Sequence, residues 1–397
     1  MKLIERKYYL DKLIRVIDTP DIKVITGVRR SGKSKLLEAF QEYISQNIKD
    51  SNIIHINYNL KKFDNILDGN SLYEYVEEKY VHGKNNFLLI DEIQKCDKFE
   101  DTINSFHAEE KFNIYLTGSN AFLLSSDLAT LFTGRTFEIS IFPFSFDEYL
   151  KYYKYDNRYN AFEKYINEGG MSGSYLYDEI EDKTSYIKEI YETLIIRDIV
   201  KKYKIRNKEL LNRLSDYLLD NISNVTSSTK IENTLKSNKF KADHKTISKY
   251  IEYLCNAFAF YRVRRYDIKG KKYLISQDKY YLSDVSFRSS ILGKKNMDYG
   301  RILENIVAIE LLRRGYEIYV GTLYNKEVDF VAVKRDEQIY IQVSDNINSE
   351  KTLKREISPL LSIKDGYKKI IITRLNHESY LQDGIEIIDI ADWLLRK

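Results

Sequence analysis

Proline is nearly missing from this chain, with three residues in 397, so composition marks no linkers and boundaries have to be read from changes in periodicity. Cysteine is just as sparse. Cys96 and Cys255 lie far apart and form no redox or metal-like pair, which leaves them as reduced structural residues. The five histidines show no ligand spacing, which argues against a zinc site. No apolar stretch approaches the ~18 residues that cross a bilayer. The opening Met1-Lys2-Leu3-Ile4-Glu5-Arg6 has no apolar signal region. A cytoplasmic protein without a membrane partner is the expectation. Charge of one sign is also lacking: 63 basic against 59 acidic residues leave a net +4, too little for global electrostatics to announce a nucleic-acid partner. The 34 tyrosines accompany an abundance of Lys, Asn and Ile, a compositional bias that is no evidence for base stacking.

What is present is length and a strong motif. At 397 residues the chain exceeds one ordinary core, and two to four domains are expected. Gly27-Val28-Arg29-Arg30-Ser31-Gly32-Lys33-Ser34 fits G-x-x-x-x-G-K-[ST], a phosphate-binding loop. Glycines at both ends permit the positive φ values that turn consecutive N–H groups inward as a nest for phosphate oxygens. Lys33 adds a point charge and Ser34 a ligand for Mg²⁺. The context agrees, because Lys23 to Thr26 reads as a strand and Ser34 to Ser45 carries Leu36, Leu37, Phe40, Tyr43 and Ile44 at helical spacing. Such a helix aims its positive dipole end at the phosphates. ATP and Mg²⁺ are the expected cofactors.

Phe87-Leu88-Leu89-Ile90-Asp91-Glu92 reads as a buried parallel strand ending in two carboxylates. Asp91 is the expected metal ligand, through water, and Glu92 the group that polarises an attacking water. An ordinary strand ending in a solvated acidic turn is the plain alternative. Between the two motifs, Asn52 to Tyr58 is a further β-like run. That extra strand, with a glutamate beside the aspartate, resembles the additional-strand, catalytic-glutamate division of P-loop NTPases. Phe112 to Leu116 reads as a strand leading into Thr117-Gly118-Ser119-Asn120. Ala121 to Phe132 reads as an apolar helix, followed by Thr133-Gly134-Arg135 and a strand at Thr136 to Ile139.

The segments Ile25 to Ser34, Leu116 to Asn120, Leu131 to Arg135 and Phe142-Pro143-Phe144-Ser145-Phe146-Asp147-Glu148-Tyr149 resemble the AAA+ ATPases of bacteria and archaea that carry a C-terminal domain of unknown function. The resemblance runs from Ile4 to the C-terminus. It implies a sensor at Ser119 or Asn120 that touches the γ-phosphate or the attacking water, although a helix-capping Ser or Asn is equally good chemistry there. It also implies an arginine finger at Arg135 that reaches a neighbouring subunit, and hence a homo-oligomer; a plain dipole partner at a helix C-terminus is the alternative. One departure is visible at Gly169-Gly170-Met171-Ser172-Gly173, where the family carries proline in place of Ser172.

Beyond the core, the helical period over Lys151 to Tyr203 matches a small helical lid, with Arg197 either a reader of the γ-phosphate or a solvated charge. Leu210 to Asn221, Ser228 to Leu235 and Asp243 to Ala257 read as three helices, the last capped by Asp243. A hairpin at Phe260 to Arg265 and Lys272 to Leu274 completes a winged-helix pattern. Between Arg262 and Lys272 six residues are basic and one acidic. Lys245, Lys249, Arg262, Arg264, Arg265, Lys269, Lys271 and Lys272 therefore form a candidate nucleic-acid surface. Protein interaction or a merely soluble hairpin explains it too.

The last hundred residues are similar in order to the core of PD-(D/E)xK nucleases: a helix over Gly300 to Leu312, a strand at Glu317 to Val320, and a strand pair at Val328 to Val333 and Gln338 to Ser344. Glu304 and Asp329 match the nuclease acids. Gln342 and Ser344 stand where the second acid and the lysine belong, which disfavours nuclease activity, and nothing in the sequence selects Lys326 or Lys334 as a relocated lysine. The expected fold is thus an α/β P-loop AAA+ core with a parallel sheet (1–150) and a helical lid (151–206). A winged helix (207–292) and a degenerate, restriction-endonuclease-like α/β domain (293–397) follow. The functions consistent with this order are an ATPase coupled to nucleic acid, a nucleotide-controlled switch acting on a protein partner, and, least favoured, a metal-dependent nuclease.

Overall fold

The computed structural model describes residues 4–118, 132, 134–237, 240, 242–270, 272–293 and 298–396. It divides into two compact units, Met1–Ile141 and Phe142–Lys397.

In the first unit five strands form one sheet: β1 (Ile22–Thr26), β2 (Ser51–Asn57), β3 (Asn85–Asp91), β4 (Phe112–Thr117) and β5 (Thr136–Ser140). Their order is β2-β3-β4-β1-β5 and every pairing is parallel. The strands alternate across two cores, as a pleated sheet buried on both faces requires. Leu88, Ile90, Ile114 and Leu116 enter one hydrophobic cluster, and Phe87, Leu89 and Tyr115 enter the other. The second cluster is completed by Tyr9, Leu10 and Leu13 from α1 (Lys7–Arg15) and by Leu36, Leu37, Phe40 and Ile44 from α2 (Lys33–Asn47). The strand between β1 and β3 in space is β4; β2, which separates the two motifs in sequence, lies at the sheet edge. Because all strands are parallel, Thr26, Asp91 and Thr117 end on the same edge of the sheet. The helix expected over Ala121 to Phe132 lies outside the described residues except for Phe132.

The second unit opens with helices Phe146–Tyr153, Arg158–Glu168 and Ile180–Thr193. Ser145 and Glu148 form a reciprocal capping box at the first of these. The glycines at 169 and 170 have a packing cause. A Cβ at Gly169, whose φ is +64°, would lie 2.0 Å from Asp284 Oδ1, and one at Gly170 would lie 2.3 Å from the Phe144 carbonyl oxygen. Their loop clasps Asp284, whose Oδ2 accepts the Gly170 N–H at 2.6 Å. Helices Lys208–Asp220, Ser228–Ser237 and His244–Asn256 follow as expected, and the Asp243 carboxylate accepts the N–H groups of Lys245 and Thr246.

The hairpin differs from expectation. β6 (Phe260–Asp267) pairs with β7 (Lys272–Leu282), which continues eight residues past the expected end at Leu274. β6 also pairs in parallel with β8 (Glu317–Leu323) through Arg265 and Val320. The hairpin thereby joins β9 (Lys326–Lys334), β10 (Glu337–Ser344), β11 (Lys368–Thr373), β12 (Tyr380–Gln382) and β13 (Ile385–Asp389) in one eight-stranded mixed sheet of order β12-β13-β11-β10-β9-β8-β6-β7. It is an integral pair of strands rather than a free wing, and the expected boundary at 292/293 separates β6 and β7 from the other strands of their sheet. Among the described residues no helix is long and apolar enough to cross a membrane.

Candidate functional site

The loop between β1 and α2 is built from backbone that only certain residues tolerate. Gly27 has φ +144° and Gly32 φ +98°, with Arg30 between them at φ +66°. A Cβ on Gly27 would stand 2.1 Å from the Ile141 carbonyl oxygen, so packing as well as conformation requires glycine there. Lys33 is buried, and its Nζ donates to the carbonyls of Gly27 at 2.9 Å and Val28 at 3.2 Å, so the ammonium lies under the loop. Ser31 Oγ is buried without a hydrogen-bond partner. Ser34 follows Lys33 in the first turn of α2.

Across β4 from the loop, Asp91 ends β3 with 1% exposure. Thr117 Oγ1 donates to Asp91 Oδ1 and accepts the Glu92 N–H at 3.2 Å, so a single hydroxyl orients both acidic residues. Asp91 Oδ2 is buried and has no hydrogen-bond partner. A buried carboxylate oxygen left without a donor is costly unless a ligand completes it, and a hard cation with oxygen ligands is such a ligand. The donor set therefore fits Mg²⁺. Glu92 adopts the left-handed region at φ +60°, which costs on the order of 1–3 kcal/mol. Its carboxylate accepts from Gln94 Nε2. Thr117 was not singled out in sequence. Its signal is positional: a hydroxyl at the end of the buried strand that separates the two motif strands.

Ser119 and Asn120 lie outside the described residues. Arg135 lies at the start of β5, beside Ile22, where its carbonyl accepts the Ile22 N–H at 2.8 Å. That is the opposite end of β1 from the phosphate loop, four residues or roughly 13 Å along the strand. Its guanidinium is exposed and donates to Asn104 at 3.1 Å. Arg197 is exposed in a π-helical stretch, Leu194–Val200.

In the second unit the candidate nucleic-acid residues divide. Arg262 pairs with Asp278 at 2.6 Å, Arg265 donates to Gln277 at 3.2 Å, and Lys269 lies over the Tyr324 ring at 4.7 Å. Lys245, Lys249 and Arg264 are exposed. Lys271 lies outside the described residues, and only the backbone of Lys272 is described, within β7.

The acids Glu304 and Asp329 do come together, around a lysine that sequence reasoning missed. Lys279, on the part of β7 beyond the expected hairpin, is 3% exposed. Its Nζ lies 2.8 Å from Glu304, 2.8 Å from Glu327 and 3.6 Å from Asp329. Tyr281 donates to Glu304 at 2.7 Å and the Val343 N–H to Asp329 at 2.8 Å. Gln342 faces Asp329 across the ladder, accepting its N–H at 3.4 Å, and the Ser344 hydroxyl donates to the Asn346 carbonyl. Neither Lys326, which donates to Ser358 and Ser362, nor Lys334, which donates to the Arg314 carbonyl, belongs to the group. Burial, then the neighbouring Glu304, pushes the Asp329 carboxyl up to about 8; burial raises Glu304, against the pull of Lys279. Burial of Glu304 and Asp329 side by side disfavours their charged forms, against the pull of the one ammonium they share.

A family model described as an AAA domain matches residues 19–150, and one described as a domain of unknown function matches residues 159–298. The chain is 40% identical over 403 residues to an uncharacterized protein of Haemophilus influenzae, covering 99% of each. It is 34% identical over 388 residues to an uncharacterized protein of Methanocaldococcus jannaschii, covering 94% of this chain and 85% of that one. The Walker-type ATPase of Pyrococcus abyssi aligns over 72% of this chain and 95% of its own, at 15% identity and a TM-score of 0.49.

Proposed function

We propose, from the premise that this chain belongs to the AAA-domain family of P-loop ATPases, that its first unit binds ATP with Mg²⁺ and hydrolyses it to ADP and phosphate. The observation that carries this reading is the unpartnered Asp91 Oδ2, on a strand end two places from the phosphate loop in the sheet. Lys33 and the N–H groups between Gly27 and Ser34 stabilise charge on the phosphates. Ser34 and Asp91 would hold Mg²⁺, which would draw charge from the phosphate oxygens. Glu92, fixed by Thr117 and Gln94, aligns a water and takes up its proton; the water oxygen bonds to the γ-phosphorus as the bond to the bridging oxygen of ADP breaks. Ser119 or Asn120 acts as the sensor of that phosphate.

Phosphate release by the purified protein tests this directly. Glu92→Gln is expected to lower turnover by at least about 100-fold while nucleotide binding persists; equal rates in the two proteins would contradict the assignment. The same assay with duplex and single-stranded DNA tests the finer reading, coupling to nucleic acid through exposed Lys245, Lys249 and Arg264. Stimulation supports that coupling, whereas slow, unresponsive hydrolysis with an ATP-dependent change in mass supports the nucleotide-controlled switch. Arg135, distant from the phosphate loop of its own chain, acts on a neighbour's nucleotide. Arg135→Ala alone then loses hydrolysis, and mixing with Lys33→Ala subunits restores part of it; no restoration in the mixture would refute action in trans.

A further inference from the structure

A cation outside the motif also touches the phosphate loop. Arg6, just before α1, is 7% exposed, and its Nη1 donates to the Ser31 carbonyl at 2.7 Å. The guanidinium lies 4.5 Å from the centre of the Tyr9 ring, and a Cβ on Gly32 would be 3.7 Å from Nη1. The Arg6 carbonyl accepts the N–H groups of Tyr9 and Leu10, so this residue also starts α1. The helix is itself fixed: Tyr9, Leu10, Leu13 and Val16 share a hydrophobic cluster with Leu36, Leu37, Phe40 and Ile44 of α2, and Tyr115 donates to the Leu13 carbonyl at 3.1 Å.

The planarity of the peptide gives this contact a consequence. In a trans peptide the Ser31 carbonyl and the Gly32 N–H point in opposite directions. Holding the carbonyl on Arg6 turns the Gly32 N–H to the other side of the loop, and Gly32 at φ +98° has no side chain to resist either orientation. Holding a loop amide in one direction removes an ordering cost that a phosphate would otherwise meet on binding. Arginine suits the task because its planar fork stays charged when buried.

We propose that Arg6 is a positioning residue of the nucleotide site, a latch from α1 that pre-sets the amide nest of the phosphate loop; this rests on the ATP-binding reading above. It acts through the Ser31–Gly32 peptide, so it serves the phosphates that ATP and ADP share. Titration of wild type, Arg6→Lys and Arg6→Met with fluorescent ATP and ADP analogues, alongside the thermal midpoint of each protein, tests it. Arg6→Met is expected to raise both Kd values about tenfold, the size of one charge-assisted hydrogen bond, and Arg6→Lys to recover part of the loss. A structural residue would lower the midpoint without this paired, lysine-rescued loss of affinity. Equal affinity in Arg6→Met and wild type would overturn the latch and leave the ATP-binding reading standing. Absence of binding by wild type would overturn both. If Arg6→Met does not fold, Arg6→Lys decides alone: wild-type affinity in that variant overturns the latch, and an intermediate affinity supports it.

Discussion

One group of buried charges in each unit is handled in the opposite way to the other. At the crevice edge of the first unit the polar groups are incomplete: Asp91 Oδ2 and Ser31 Oγ are buried without partners, and Lys33 is held by backbone carbonyls. In the second unit Glu304, Glu327 and Asp329 surround Lys279, and Tyr281 and the Val343 amide supply further donors. None of these side chains contributes to the buried unpartnered atoms among the described residues. The first arrangement needs a ligand to satisfy it and the second satisfies itself. A similar inventory of acids and a lysine can therefore serve binding in one place and internal cohesion in another, and the difference lies in where the counter-charge comes from.

Removing the internal counter-charge should have the largest effect on stability. Lys279→Met leaves buried carboxylates without a cation and is expected to destabilise the second unit by about 3–5 kcal/mol in denaturant unfolding. The loss should shrink at acid pH as the carboxyls take up protons. A change below about 1 kcal/mol would show that the cluster is not a stabilising group.

The next effect is on pH dependence. Asp329, and with it Glu304, has a folded carboxyl pKa above its unfolded value. Between about pH 4 and 8 the folded chain therefore holds a proton that the unfolded chain has released. Stability conferred by that proton is present at low pH and is lost as pH rises through this window, with a slope of up to about 1.4 kcal/mol per pH unit per proton. Asp329→Asn should flatten that slope when unfolding midpoints are compared across the window, and an unchanged slope would place the proton elsewhere. The smallest effect on stability is expected at the other lysine. Lys33→Ala removes two donors to loop carbonyls, roughly 1 kcal/mol or less in net folding free energy, yet should abolish tight ATP binding. A large stability loss there would erase the distinction between the two units.

The first unit was largely legible because its signals are local. The loop, both flanking elements and the acidic strand each fall in one short segment with its own period, and at Gly27 both positive φ and close packing require glycine. Placement across the sheet was less legible: that β4, not β2, separates the motif strands is a matter of strand order. The Thr117 bridge depends on that order as well. The second unit hid more. The sequence pattern ends the second hairpin strand at Leu274, yet tertiary pairing continues it to Leu282 and buries Lys279. Propensity cannot show such a residue, because only the approach of Glu304 and Glu327 from other elements makes its burial tolerable. The helices with plain caps, such as that begun by Asp243, were read to within a few residues.

Under the proposed function, Mg²⁺ and ATP complete a crevice that the first unit alone leaves with a buried, unpartnered carboxylate oxygen. Calorimetric titration of ATP into wild type and Asp91→Asn, with and without Mg²⁺, tests it most directly. Wild-type binding that tightens with Mg²⁺, and a loss of that tightening in Asp91→Asn at unchanged folding stability, is the predicted result. ATP binding of equal strength in both proteins, indifferent to Mg²⁺, would contradict it.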